Sequence, residues 1–264
     1  MRTEFTRVHV TAHGAVAVLT LNHPDVLNAA SVSMVGGIAK AMSFVEKPDS
    51  GFRALVITGE GRGFCSGANL AETADRRSGE ETAGDALETA YHPMLRRLRD
   101  CRLPIVTAVN GAAAGIGMSI ALMGDIIVAA RSAYFLQAFA RVGLVPDGGS
   151  TWMLPRMIGL ARARELSLLA EKLPAEKALE WGLINRVFDD AAMMDEAMKL
   201  ATRLAEGPAS LAFVRRLYWE SPHHTFEQQI DQERMAQQRA GRTEDFVEGV
   251  KAFLQKRPAQ FKGK

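Results

Sequence analysis

Four short apolar runs punctuate the first half of the chain: residues 15–21, 53–58, 103–109 and 125–130. Each is closed by turn residues, such as Asn22-His23-Pro24-Asp25 after the first and Asn110-Gly111 after the third. Short apolar runs bounded in this way predict buried strands. The segments between them carry helical spacing, and strands alternating with helices point to an α/β fold. After about Pro174 the pattern changes and no further strand is expected. Residues 175–181 read as a helix with Gly182 as its C-terminal cap. Leu211, Val214, Leu217 and Tyr218 form one helical stripe, and Phe246, Val250, Phe253 and Leu254 form another, which predicts burial of the second set. The expected organisation is a core over residues 1–200 and a helical region over 201–264.

Residues 111–130 are almost wholly apolar and long enough to suit a membrane span. Asp125 lies within them, and a carboxylate at mid-bilayer costs about 2.5–3.5 kcal/mol on insertion scales. A buried helix followed by a buried strand is the better reading, and no membrane partner is expected. Residues 71–90 carry Arg76, Arg77, Ser78, Gly79, Glu80, Glu81, Gly84 and Asp85 and read as a solvated loop or weak helix, either a surface insertion or a lid. At 47% hydrophobic and 23% charged, the 264-residue chain has the balance of a globular protein with a sizeable core. Its net charge of +2 gives no footing for nucleic acid. Cys65 and Cys101 are too far apart for a CxxC, so neither a zinc site nor a disulfide framework is expected. The first residues lack an apolar signal core, and the cytoplasm is the expected location.

Common catalytic signatures are absent. There is no G-x-x-x-x-G-K-[ST], no G-x-S-x-G and no H-E-x-x-H, and Ile120 breaks a G-x-G-x-x-G at Gly115. His223 and His224 are adjacent and read as loop histidines. Two glycine-rich turns remain. Gly61-Arg62-Gly63-Phe64-Cys65-Ser66-Gly67-Ala68-Asn69-Leu70 follows the second predicted strand, and Asn110-Gly111-Ala112-Ala113-Ala114-Gly115-Ile116-Gly117 follows the third. Ligands of open α/β sheets bind beyond the C-terminal ends of strands, where both turns lie. The second opens onto a helical run from Ile116 to Met123, whose first amides lack intrahelical partners. Two such amides could grip one oxygen that becomes negative; equally, glycine-rich turns serve as tight connections. Asp147, in Val145-Pro146-Asp147-Gly148-Gly149-Ser150, is either a turn residue capping a helix that starts near Ser150 or an acid/base group.

Taken in order, these segments resemble the enoyl-CoA hydratase/isomerase (crotonase) superfamily. The resemblance covers essentially the whole chain. It is carried by Leu21-Asn22-His23-Pro24 with Asn28-Ala29, the two glycine-rich turns, Asp125, Pro146-Asp147-Gly148-Gly149 and the tail from Phe246 to Phe261. Ala130-Arg131-Ser132-Ala133, Thr151-Trp152-Met153-Leu154-Pro155-Arg156 and Ala240-Gly241-Arg242 are similar to the ring-epoxide isomerases of bacterial phenylacetate breakdown. The resemblance implies a crotonase-like α/β spiral of ββα units with a C-terminal helical trimerisation region, assembled as a trimer or a dimer of trimers. It implies an acyl-CoA substrate whose thioester carbonyl is held by the N–H groups of Ala68 and Ile116. Ser66, Gly67, Asn69, Leu70, Gly115, Ser119 and Phe139 would line the substrate and coenzyme. No metal or separate cofactor is implied, since coenzyme A enters with the substrate.

The departures from the family pattern carry the functional reading. The two glutamates with which hydratases position water fall on Ser119 and Phe139, which cannot move a proton from carbon. The isomerase-type aspartate is present as Asp147. Asn69 replaces the aspartate of the first turn, and His23 stands where arginine is common near the coenzyme. The expected reaction is a 1,3-proton shift through an enolate stabilised by the two amides, with Asp147 as carrier and apolar neighbours Leu144, Val145, Pro146 and Trp152 raising its pKa. Rival readings are a hydratase or thioester hydrolase on the same fold, a non-catalytic CoA-ester-binding protein, and, more remotely, Cys65 as a nucleophile.

Overall fold

A computed structural model describes residues 1–71 and 83–264. The part of the expected polar loop at residues 72–82 lies outside the described residues. Seven strands form the main sheet: β1 (Arg2–Phe5), β2 (Val8–His13), β3 (Val16–Leu21), β4 (Ala54–Gly59), β6 (Ile105–Val109), β8 (Ile126–Ala130) and β11 (Arg186–Phe188), in that spatial order. The first three strands pair antiparallel, and β3 onward pair parallel. Every residue of β3, β4 and β6 is buried, as expected of parallel strands covered on both faces. The helix Asp190–Ala205 packs on β3, β4, β6 and β8 through Met193, Ala197, Ala201 and Ala205. Alanines spaced four apart let its backbone approach the sheet closely.

A second sheet holds β5 (Gly63–Cys65), β7 (Ala112–Ala114), β9 (Tyr134–Leu136) and β10 (Leu173–Pro174), in the order β10-β9-β7-β5. The pairs β4/β5, β6/β7 and β8/β9 each send one strand to the main sheet and the next to the second sheet. That repetition is the spiral of ββα units. It also corrects the sequence reading: the two glycine-rich segments are not simple turns, because each contains a three-residue strand. The site therefore lies beyond the ends of the second sheet, one strand further along the chain than expected.

Two further corrections concern the last third. It is not all-helical, because β11 pairs with β8 in register Val187↔Ala129. The expected boundary at residue 200 falls inside the continuous helix Asp190–Ala205. The C-terminal helices are Leu211–Glu220, Phe226–Ala240 and Glu244–Leu254. Their apolar stripes are not buried in the isolated chain, contrary to the spacing argument: Phe253 is 82% exposed and Leu254 74%. What the first of these helices buries is Arg215. Its guanidinium donates from Nε to Asp125 Oδ2 at 2.8 Å, from Nη2 to the Leu98 carbonyl at 2.8 Å and from Nη1 to the Cys101 carbonyl at 2.9 Å. Residues 111–130 form β7, a helix from Ile116 to Ala121, and β8. Among the described residues no helix is long and apolar enough to cross a membrane.

Candidate active site

The parallel strands β5 and β7 lie side by side, with Gly63 opposite Ala112, so the turns that follow them meet. A Cβ on Gly67 would stand 3.3 Å from the Ala114 carbonyl oxygen, and one on Gly115 would stand 3.8 Å from Gly67 Cα. Ala68 forms a parallel bridge with Ala30. On that edge the Ala30 N–H donates to the Gly67 carbonyl at 2.7 Å, and the Asn69 N–H donates to the Ala30 carbonyl at 3.2 Å. Extended backbone alternates its polar groups, so the Ala68 N–H is turned to the opposite edge. Ile116 is the first residue of the helix Ile116–Ala121, where amides lack intrahelical acceptors. Among the described residues neither amide has a backbone partner. Gly117 makes this approach possible, since a Cβ there would stand 2.2 Å from the Cys65 carbonyl oxygen.

The loop bearing Asp147 is seated on the same helix. Gly148 has φ +61°, and a Cβ on it would stand 2.6 Å from Ile116 Cδ1 and 2.7 Å from Ser119 Cβ. The Ile116 side chain is thus packed under this loop and is 2% exposed. The main-chain carbonyl of Asp147 accepts from Ser119 Oγ at 3.2 Å, from Ser150 Oγ at 2.8 Å and from the Ser150 N–H at 3.1 Å. Its side chain makes no cap: the helix Ser150–Ile158 starts after Gly149 with no side-chain capping bond. Asp147 Oδ1 is buried without a hydrogen-bond partner among the described residues. Burial pushes the carboxyl up to about 6, and the charge of His92 acts in the opposite direction. The direction of the shift is the expected one. Of the flanking apolar residues, Leu144 is 41% and Val145 79% exposed, while Pro146 and Trp152 are half-buried.

The remaining expected residues distribute around these two features. The Phe139 ring is 7% exposed, and its Cζ lies 3.7 Å from a Cβ placed on Gly115. Ser119 is wholly buried, with its hydroxyl directed to the Asp147 carbonyl. Ser66 Oγ donates to the Val26 carbonyl at 2.9 Å, and Leu70 is 50% exposed beside the first turn. His23 Nδ1 is buried and unpartnered among the described residues. Burial pushes the Cys65 thiol up to about 11, which leaves it unreactive as a nucleophile at neutral pH. His223 does not lie in a plain loop: it ends a 3-10 turn and stacks on Trp152 at 5.5 Å.

Sequence reasoning passed over Tyr91 and His92. Tyr91 ends a π-helical turn, Leu87–Tyr91, and His92 follows it as the first residue of the helix His92–Asp100. Tyr91 Oη donates to the Ala30 carbonyl at 2.6 Å, and Ala30 is the bridge partner of Ala68. The only local signal was the i,i+4 spacing of Glu88 and His92 inside a segment dominated by charge and glycine.

The enoyl-CoA hydratase/isomerase family model matches residues 11–264. The 1,2-epoxyphenylacetyl-CoA isomerase of Escherichia coli K12 is 44% identical over 263 residues, covering 99% of both chains. The 2,3-dehydroadipyl-CoA hydratase of the same organism is 31% identical, over 97% of this chain and 98% of its own length. The crystal structure of an enoyl-CoA hydratase from Polaromonas sp. JS666 superposes with a TM-score of 0.91 at 35% identity, covering 96% of this chain and 99% of that one. Family match, full-length relatives of both reaction types and a shared fold agree: this chain belongs to the enoyl-CoA hydratase/isomerase family.

Proposed function

We propose that the protein isomerises a CoA thioester through an enolate, with conversion of 1,2-epoxyphenylacetyl-CoA to oxepin-CoA as the leading reaction, in which the C–C bond shared by the epoxide and the ring breaks while a proton moves from the α-carbon to a ring carbon, and with Δ3-to-Δ2 enoyl-CoA isomerisation, a 1,3-proton shift alone, as a related activity. The observation that carries this reading is the acid/base content of the site. Beside the two amides that lack backbone partners among the described residues stand Ser119, Phe139 and the carboxyl of Asp147. A proton shift between carbons of one substrate needs one carrier; activation of water by the hydratase route needs the paired carboxylates that this chain lacks. Resemblance to the isomerase at 44% identity favours the same side.

The thioester oxygen is placed between the Ala68 and Ile116 amides, where each preorganised donor contributes about 3–4 kcal/mol to stabilising the enolate. Asp147 removes a proton from one carbon as a carboxylate and returns it to another as the neutral acid. Phe139 presents an apolar wall beside Gly115 and keeps water from the enolate. Ser66, Gly67, Asn69 and Leu70 line the path of the coenzyme, which arrives as part of the substrate. The deciding experiment is a panel of acyl-CoA esters with products measured by mass. Isomerisation leaves the mass unchanged and moves the absorbance of the acyl group. Addition of one water assigns a hydratase, release of free CoA a hydrolase, and no product from any ester a binding protein; each of these overturns the reading.

We also propose that the C-terminal helices join copies of the chain, as a trimer or a dimer of trimers. Tyr218, Phe246, Val247, Phe253 and Leu254 are each more than half exposed in the isolated chain, and large apolar side chains gathered on exposed helices favour an interaction surface. Light scattering is expected to give three or six times the 28.7 kDa chain mass. Phe253→Glu with Leu254→Glu is expected to lower it, and a wild-type monomer at micromolar concentration would remove the proposal.

A further inference from the structure

We propose that Trp152, Trp219 and His223 form a positioning stack that fixes the start of the helix Ser150–Ile158, and with it the loop of Asp147, against the C-terminal helices. This rests on the reading of Asp147 as the proton carrier. The Trp152 and Trp219 rings lie 6.0 Å apart between centroids, with planes 11° from parallel. The His223 ring lies 5.5 Å from that of Trp152, at 18°. Arg156 places its Cζ 4.2 Å from the Trp152 ring centroid and donates from Nη1 to the Trp152 carbonyl at 2.8 Å. Near-parallel rings at such spacings attract each other beyond their burial, and a guanidinium over an indole adds to this.

Trp152 stands close to the chemistry along the backbone. Its N–H donates to the Gly149 carbonyl at 3.0 Å, and that of Met153 donates to the same carbonyl at 2.9 Å. The Ser150 N–H and Oγ donate to the Asp147 carbonyl at 3.1 and 2.8 Å. The first turn of the helix therefore bonds directly to the Asp147 loop. Local interactions fix this helix only weakly. It is 9 residues long, starts without a side-chain cap and contains Pro155, which returns no N–H to the Thr151 carbonyl. Gly148 and Gly149, both at positive φ, give the loop no side chains to pack there. The orientation of the helix start is thus left to Trp152 and to the buried Met153 and Leu154.

The other end of the stack is anchored in the core. Trp219 follows Arg215 by one helical turn on the same face of the helix Leu211–Glu220. Arg215 is buried and donates from Nε to Asp125 Oδ2 at 2.8 Å. His223 ends the 3-10 turn that comes next. The stack thus joins a helix held by a buried ion pair to a loop with few anchors of its own.

Steady-state kinetics of Trp219→Leu on a β,γ-unsaturated acyl-CoA test the role. We expect kcat to fall about threefold to tenfold with KM held within about twofold, because misplacing a reacting group acts on turnover. Trp219→Phe keeps a flat ring and should recover most of the loss. In a Trp152→Leu background, Trp219→Leu should have little further effect, since both changes remove one contact. Infrared titration of the Asp147 carboxyl, isolated by difference against Asp147→Asn, reads the loop without any substrate. The wild-type midpoint is expected near pH 6. It should fall by about half a unit to one unit in Trp219→Leu, as a loosened loop admits water. His223→Asn, with a smaller change in the same direction, serves as the second variant where Trp219→Leu fails to fold. A lower melting temperature with kcat, KM and midpoint all unchanged would leave the stack a structural contact only and overturns the proposal, as would additive losses in the double variant. Should Asp147→Asn keep turnover while the midpoint still moves in Trp219→Leu, the positioning stack stands and the reading of Asp147 as proton carrier fails.

Discussion

Arg215→Met is expected to destabilise the protein by about 3–5 kcal/mol, the usual result of removing one member of a buried ion pair. The guanidinium side chain is 4% exposed and lies on Asp125, which is 24% exposed. Its remaining donors serve the carbonyls of Leu98, Arg99 and Cys101. Methionine fills a similar volume, so the loss is electrostatic and polar, not a cavity. Asp125 would keep the Ile105 N–H, at 2.7 Å, but with no countercharge. For a chain of this size each kcal/mol shifts the melting temperature by about 2–4 °C, so a fall of roughly 10 °C is expected. Adding Asp125→Asn to Arg215→Met should recover part of the loss, because the amide oxygen still accepts from Ile105 while the unpaired charge is gone. Recovery stays incomplete, since three carbonyls remain without donors. Urea titration of the two variants checks both statements. A cost below 1 kcal/mol for Arg215→Met would mean that the C-terminal helices are held by their apolar contacts instead.

The main sheet was legible because its inner strands are buried on both faces. Residues 15–21, 53–58, 103–109 and 125–130 read as apolar runs, and β3, β4, β6 and β8 occupy them. The edge strands escaped for the same physical reason. β1 alternates exposed and half-buried positions over four residues, and β11 is half exposed over three. Neither presents an apolar run. The strands of the second sheet escaped differently: Gly63–Cys65 and Ala112–Ala114 are short and sit among glycines, so turn chemistry masked their pairing. The C-terminal stripes had true helical spacing, but spacing alone cannot say whether a face packs on its own chain or on another. Arg215, a residue type expected at the surface, was the buried residue of its helix.

Asp147 shows both the reach and the limit of sequence pattern in the site. Pro-Asp-Gly-Gly is a turn in either reading, and only three-dimensional placement separates them. Among the described residues the loop carbonyl takes three hydrogen bonds and Oδ1 of the side chain takes none, which leaves that oxygen available for chemistry. Ala68 and Ile116 could be proposed from the family resemblance of their motifs, because a backbone amide serves regardless of its side chain.

Asp147→Asn is expected to reduce isomerisation by about 10²–10⁴-fold while leaving the fold and CoA-ester binding intact. Shape is conserved, and no side-chain hydrogen bond is lost, because Oδ1 has no partner among the described residues. The bonds that place the loop run from Ser119 and Ser150 to the main-chain carbonyl and survive the change. What disappears is a group able to take a proton from carbon. Stability supplies an independent check. The folded carboxyl titrates near 6, above its ordinary value of 3.8. Between those limits the folded state holds more protons than the unfolded state, so wild-type stability is greatest below pH 3.8 for this group and declines as pH rises toward 6. Asparagine has no such decline, so its melting temperature should gain on wild type between pH 4.5 and pH 7.5. A turn-capping aspartate predicts the reverse, with the variant less stable at neutral pH. Ser119→Ala, which removes one of three donors to the loop carbonyl, should cost far less activity than Asp147→Asn. Steady-state turnover of a β,γ-unsaturated acyl-CoA and of the aryl epoxide thioester, with binding and thermal melts alongside, settles the assignment. Near-native turnover by Asp147→Asn on every ester that wild type accepts would return Asp147 to a turn residue and leave the proton shift without a carrier.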